Sequence, residues 1–503
     1  MIGTTVGDVV YDVVAVVLVA LVFVGAVPLV VATYQFARVG LHRWFSHLDK
    51  AEPYLPRVAI VIPAWNEGAV LGASLDRLLG MDYPPESLRL YVVDDASTDD
   101  TPEVVGERIT AHPGRVLHLR REQGGQGKAH TLNHGLRIVL ADDWAEAVLI
   151  MDADVVYEPR ALRYMTRHLA DPGVGAVTAY IKEGSQPANW MNKFISYEYI
   201  AAQAAARRGQ NTIGVLACLA GGAQLHSREN IEAIGGQIDT SSLAEDTFTT
   251  FFTQIRGKRV VFDGNAVVWA EEPRTIDGLW KQRLRWARGN VQVTSRFRHL
   301  WFRRSKEHNL GSFMFGLTWF SLFLLPLLMI TSSAALVGLF FLDPDFAWPA
   351  FRWLWIINAV SYLFITSFTL VIDPRTARRC WVQAIMFPGL VSLLLIAYSC
   401  FPRPVRWAVD EIFEAGGFDR THLQTRLLLL FAYTWISLCM LVAWAAHELE
   451  KRAHSKWFSR FFVYLGGYGA VLCAISFTSY VKELRGAEMK WDKTEKTGTV
   501  VAG

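Results

Sequence analysis

Apolar positions along the chain fall into distinct regimes. Residues 9–31 are almost all apolar with hardly a charge, a run long enough to cross a hydrocarbon core of about 30 Å as one helix. Between about 55 and 274 the pattern changes to short β-branched runs alternating with amphipathic stretches, which predicts βαβ units. Strands are predicted at 58–62, 88–93, 115–119, 148–151, 174–180 and 259–262, with helices between them. Such a sheet is mainly parallel and binds ligands at its carboxyl edge. Further apolar stretches follow at 312–342, 347–372, 381–400, 427–446 and 461–480, giving about six spans in all. The first of these is overlong and contains Pro326, so it is expected to tilt, kink or re-enter.

Composition sharpens this picture. Of 503 residues, 52% are hydrophobic, 13% aromatic and only 19% charged, a profile that fits poorly with disorder or a purely soluble enzyme and makes membrane integration the first expectation. The net charge of +3 is too slight for a nucleic-acid binder. Five widely spaced cysteines, Cys218, Cys380, Cys400, Cys439 and Cys473, form no C-x-x-C and read as free buried thiols. A cleaved signal peptide is the rival for the first apolar run, but Asp8 and Asp12 stand where a basic start belongs. Arg38, Arg43, Lys50 and Arg57 follow that run, and Arg296, Arg298, Arg303, Arg304 and Lys306 precede the next. The positive-inside rule then places the insert in the cytoplasm of a multi-pass plasma-membrane protein. Arg375, Arg378 and Arg379, and later Lys451, Arg452 and Lys456, mark further inside loops. The expected organisation is a transmembrane helix and juxtamembrane segment (1–50), an α/β domain (51–275), amphipathic interface helices (276–310), a transmembrane bundle (311–482) and a tail (483–503).

Candidate chemistry sits where strands end. Asp94 and Asp95 close the second predicted strand, and Ala96-Ser97-Thr98-Asp99 opens the next helix. That arrangement offers a carboxylate to a nucleotide base or ribose, although helix capping accounts for Ser97, Thr98 and Asp99 equally well. Asp152-Ala153-Asp154 follows the fourth strand directly; two carboxylates at that spacing suit Mg²⁺ or Mn²⁺ shared with a diphosphate, against a solvated turn as the bland alternative. Gln123-Gly124-Gly125-Gln126-Gly127-Lys128 lacks the spacing of a Walker A loop. It can still hold a phosphate through backbone amides and Lys128, or be an ordinary flexible loop. Glu245 and Asp246 open an amphipathic stretch, where the helix dipole alone favours acids; functionally, Asp246 is placed to take a proton from an alcohol nucleophile. Upstream, Gly221-Gly222 permits close backbone approach to a ligand. Gln282-Arg283-Leu284-Arg285-Trp286 lies in a basic aromatic stretch suited to a membrane surface. Its guanidinium groups also suit a diphosphate, and its indole a sugar face.

Pro63-Ala64-Trp65-Asn66-Glu67, Val93-Asp94-Asp95-Ala96-Ser97, Asp152-Ala153-Asp154, Glu245-Asp246 and Gln282-Arg283-Leu284-Arg285-Trp286 follow one another in this order over about 58–290. In order and spacing they resemble the processive family 2 glycosyltransferases: the cellulose, chitin, hyaluronan and poly-N-acetylglucosamine synthases. Gly278-Leu279-Trp280-Lys281 is most similar to the last of these. The resemblance implies an α/β fold of GT-A type inserted between transmembrane helices. It also implies a UDP-sugar donor, a growing polysaccharide acceptor, a divalent cation and residence in the lipid bilayer. Carried over residue by residue, Asp95 binds uridine with Asp94 and Glu67 nearby, Lys128 serves the nucleotide, and Asp152 and Asp154 hold the metal and diphosphate. Asp246 is the base beside Glu245, and Gln282, Arg283, Arg285 and Trp286 hold the diphosphate and the acceptor's terminal sugar. Ala96 departs from the family's usual glycine, and the short tail leaves no expectation of a cyclic-dinucleotide receptor domain. Transfer of a single sugar to a lipid such as polyprenyl phosphate, and a transporter with a nucleotide-sugar-sensing domain, are the competing readings.

Overall fold

A computed structural model of the chain describes residues 6–45, 53–415, 422–453, 456–488, 498 and 500. Lys50 of the charge argument, and most of the tail expected at 483–503, lie outside them. Eight strands form one sheet: β1 (Val58–Ala64), β2 (Leu88–Asp94), β3 (Val116–Arg120), β4 (Ala147–Ile150), β5 (Val155–Tyr157), β6 (Val174–Glu183), β7 (Gln224–Ser227) and β8 (Arg259–Ala270). Their spatial order is β3-β2-β1-β4-β7-β6-β8-β5.

Alternation along β1 shows how the sequence fixes the layers. Val58, Ile60 and Ile62 pack in one core with Leu71, Leu75 and Leu78 of the helix Gly68–Leu79. Ala59 and Val61 face a second core with Leu132, Leu136 and Val139 of the helix Lys128–Ala141. Both faces are covered, so the run reads as continuously apolar.

The sheet is mixed rather than mainly parallel. β1 to β4 and the β6–β8 pair run parallel where they meet, but β7 is antiparallel to β4 and β6, and β5 to β8. Neither β5 nor β7 was expected, because three and four residues are too few to display a period. β8 also continues eight residues beyond its expected end at 262, to Ala270. Its register against β6 shifts between Ala179 and Tyr180, where Asp263, Gly264 and Asn265 resemble a turn.

Among the described residues, four helices are long and apolar enough to cross a membrane: Gly7–Val24, Leu325–Leu342, Pro344–Ile372 and Leu423–Arg452. Two helices bent by 96°, Trp457–Gly466 and Tyr468–Leu484, make a fifth if taken as one span. Several apolar runs expected as single spans are therefore broken among the described residues. The run 9–31 turns at residues 25–26 between the helices Val6–Val24 and Val27–Phe45. The run 312–342 breaks at Leu324, with Pro326 in the first turn of Leu325–Leu342, where its missing N–H costs nothing. The stretch 381–400 divides at Pro388 and Gly389 into Trp381–Ile385 and Leu390–Cys400. Gly389 and Gly467 meet so closely that neither has room for a Cβ, and both have positive φ. Hydropathy counts apolar residues but does not register such breaks.

Candidate active site

The carboxyl ends of β1, β2 and β4 open onto one cavity of about 1000 Å³. The loops after β1 and β2 are laced together at its edge. The backbone amide of Asn66 donates to Ser97 Oγ (3.0 Å), Asn66 Oδ1 accepts from the Thr98 amide (2.8 Å), and the Glu67 amide donates to Thr101 Oγ1 (2.9 Å). Successive side chains at a strand end point to opposite sides, and this separates the two aspartates. Asp95 lines the cavity, accepting from the Gly125 amide (2.9 Å) and pairing with Arg121. Asp94 is fully buried elsewhere, accepting from the Ser97 amide (2.7 Å) and Arg120 (3.0 Å) beside His118 (3.2 Å). Through these bonds Asp94 ties the Ser97 turn to Arg120 beside the loop that carries Asp95.

That loop carries strain. Ala96 has φ 57°, the left-handed region in which a Cβ is unfavourable, so the glycine of the resembled family answers a backbone demand. Ala96→Gly is expected to stabilise the protein by about 1 kcal/mol, read as a higher midpoint of thermal unfolding; a lower midpoint would show that the loop has absorbed the strain.

At the centre of the cavity, three elements meet around Gly221. A Cβ placed there would lie 3.2 Å from Lys128 Nζ, 3.5 Å from Asp246 Oδ2 and 3.9 Å from Asp152 Oδ2. Lys128, the first residue of its helix, pairs with Asp152 (2.6 Å) and Glu245 (3.3 Å). Burial pulls the ammonium pKa down, but these carboxylates outweigh it and hold the group above its ordinary value. Asp246 behaves in the opposite sense: burial first, then the charge of Glu245, raise its pKa to about 6 against the pull of Lys128. Such a carboxylate is poised near neutrality to accept a proton. The Gly-rich loop donates the Gly125 amide to Asp95, and Lys128 is engaged with carboxylates.

Asp152 and Asp154 both line the cavity. No group of three or more His, Cys, Asp or Glu among the described residues is arranged to hold a metal ion. Two carboxylates of one short loop would suit Mg²⁺ or Mn²⁺ bound jointly with diphosphate oxygens rather than in a protein cage.

The helix Ile276–Arg296, capped by Thr275 Oγ1 accepting the Gly278 amide (3.1 Å), contributes Gln282, Arg285, Trp286 and Asn290 to the cavity. Their i, i+3, i+4, i+8 spacing puts them on one face. Arg283 is turned away from that face. It is buried against Glu198 (3.0 Å), which also accepts from Tyr468 (2.6 Å), and its guanidinium lies 4.0 Å from the Trp286 ring centre. Arg283 therefore supports the indole from behind.

Sequence reasoning missed Glu271 and Glu272, which line the cavity just past β8. Glu272 accepts from Tyr199 (2.5 Å) and Gln282 (3.1 Å), and Glu271 from the Gly498 amide (3.0 Å). The same strand-end rule that found Asp95 and Asp152 applies to them, but the end of β8 was placed eight residues early. Glu198, Tyr199, Gln203 and Arg207 also line the cavity; their alanine-rich stretch carries no motif.

Residues 56–289 match the family described as Glycosyltransferase like family 2. That segment is a family 2 glycosyltransferase domain, an α/β unit with a mixed sheet. Among curated relatives, a probable glycosyltransferase, YdaM, of Bacillus subtilis (strain 168) is 27% identical over 75% of this chain and 91% of its own length. The poly-beta-1,6-N-acetyl-D-glucosamine synthase of Staphylococcus epidermidis is 25% identical over 73% of this chain and 88% of its own. Among solved structures, the mannosyltransferase PcManGT from Pyrobaculum calidifontis, in complex with GDP-Man and Mn²⁺, is 23% identical with a TM-score of 0.49, covering 75% of this chain and 99% of that one.

Proposed function

We propose that the protein is a membrane-embedded, inverting polysaccharide synthase that extends a β-linked chain from a cytoplasmic UDP-sugar, UDP-N-acetylglucosamine or UDP-glucose, and passes the product through its transmembrane helices. The observation that carries this reading is the meeting of Lys128, Asp152 and Asp246 around Gly221, in the cavity that Trp286 also lines. In this reading Asp95 takes the nucleoside, and Gln282 and Arg285 the diphosphate. Trp286 offers its face to the acceptor's terminal sugar. Asp152 and Asp154 would hold Mg²⁺ or Mn²⁺, which would supply charge neutralisation at the departing diphosphate. The acceptor hydroxyl attacks the anomeric carbon as the bond to the diphosphate oxygen breaks; its proton passes to Asp246, and the configuration inverts. Homology with poly-N-acetylglucosamine synthases favours the acetamido sugar as donor.

The experiment is to supply the purified protein with radiolabelled UDP-N-acetylglucosamine and UDP-glucose separately, size the product, and digest it with linkage-specific hydrolases. A high-molecular-mass product supports the synthase. A product extracted into organic solvent would instead assign single-sugar transfer to a lipid.

A further inference from the structure

The helical run from Trp190 to Thr212 is continuous but changes pitch, with a π-helical segment Ile200–Ala205 between Trp190–Tyr199 and Ala206–Thr212. Wide turns of this kind are rare inside α-helices and are frequent at functional sites. Along its cavity side stand Tyr199, Ala202, Gln203 and Arg207, a track with the Arg283–Trp286 pair at one end and Asp246 at the other. Tyr199 lies 5.6 Å from Arg283. The Asp246 carboxylate and Cys218 are close enough to act on the charge of Arg207.

Two polar atoms on this track are unmatched. Gln203 is only 9% exposed and its Oε1 has no hydrogen-bond partner among the described residues; neither has Nη1 of Arg207. Buried polar groups are nearly always paired, and none of the roles assigned above uses either residue. We propose that Gln203 and Arg207 form the subsite that holds the terminal sugar of a glycan acceptor and presents its hydroxyl toward Asp246. This rests on the transferase reading above and adds to the Trp286 face two residues that bind the acceptor's polar groups.

The pair offers one donor, a guanidinium N–H, and one acceptor, an amide oxygen. A sugar hydroxyl or acetamido group both donates and accepts and so satisfies the two together, whereas a phosphate accepts only. An anionic acceptor such as polyprenyl phosphate would leave Gln203 Oε1 unmatched. Ala202, between Tyr199 and Gln203, leaves the track unobstructed for a sugar ring.

The test uses the purified full-length protein with UDP-N-acetylglucosamine as donor and an N-acetylglucosamine oligosaccharide as acceptor, with UDP binding in Mn²⁺ measured separately. Gln203→Leu and Arg207→Met are each expected to raise the acceptor KM about tenfold, with the Kd for UDP within about twofold of wild type; retained UDP binding also reports a folded site. Arg207→Lys, which keeps a donor but not the fork, is expected to fall between. Unchanged acceptor KM in both variants, or a loss confined to UDP affinity, overturns the subsite. So does wild-type transfer to polyprenyl phosphate that Arg207→Met abolishes. A wild-type protein that transfers sugar to neither acceptor overturns the transferase reading, and the subsite with it.

Discussion

Asp246→Asn lowers the rate of sugar transfer by on the order of 10²–10⁴-fold, the range over which a positioned general base contributes, while UDP still binds. Two features of the site separate these effects. The nucleoside and diphosphate are assigned to Asp95, Gln282, Arg285 and the Asp152–Asp154 loop, none of which the substitution touches. Asp246 also stands beside Glu245 and close to Asp152, so removing its charge relieves repulsion on an incoming anion, and UDP affinity is expected to hold or improve slightly. Folding is expected to survive: burial and Glu245 disfavour the ionised form, and asparagine removes that cost. The wild-type pH profile follows from the same shift. Asp246 must be ionised to act as base, and its pKa is raised to about 6; activity should be level above about pH 7 and fall toward tenfold per unit below about pH 6. In Asp246→Asn this acid limb should vanish from whatever activity remains. A purified variant that transfers sugar at the wild-type rate would remove the base from the mechanism.

Asp154→Asn, and separately Asp152→Asn, are expected to cut transfer by on the order of 10²–10⁴-fold, because in the proposed mechanism a divalent cation held by this loop would supply several kcal/mol of charge stabilisation at the leaving diphosphate. The two variants should differ in one respect. Asp152 is the 2.6 Å partner of Lys128, so Asp152→Asn also frees that ammonium to turn toward Glu245 or the diphosphate, whereas Asp154→Asn leaves the pair intact. Titrating Mn²⁺ against activity reads this directly: Asp154→Asn shifts the half-saturating concentration upward, with partial recovery in excess metal. Variants whose activity and metal response match wild type would show that the loop after β4 is only a solvated turn.

How much of this was legible in the sequence depended on how local the signal was. β1, β2 and β4 announce themselves as apolar runs, and the acids that follow them, Asp95 and Asp152, indeed line the cavity. Glu271 and Glu272 obey the same rule but were missed, because the Asp263-Gly264-Asn265 irregularity disguises the continuation of β8. Adjacent residues were harder to separate than distant ones. Asp94 and Asp95 differ by the strand's two-residue alternation, and Arg283 and Arg285 by two helical steps, yet one of each pair lines the cavity and the other is buried in an ion pair. The apolar ends were legible as apolar but not as straight helices, since Gly389 and Gly467 act through a contact with each other that hydropathy does not encode. Gln203 and Arg207 carried no signal at all: they stand four residues apart in an alanine-rich stretch without a motif, and only the fold brings them to the cavity.

The most direct measurement is sugar transfer by the purified protein from radiolabelled UDP-N-acetylglucosamine in Mn²⁺, before and after exhaustive chelation. A single site in which Asp152 and Asp154 hold the metal and Asp246 accepts the proton predicts a labelled polymer whose formation stops with chelation and resumes when Mn²⁺ is restored. Polymer formed at an undiminished rate in the chelator, or no sugar transferred from either UDP-N-acetylglucosamine or UDP-glucose, would contradict it.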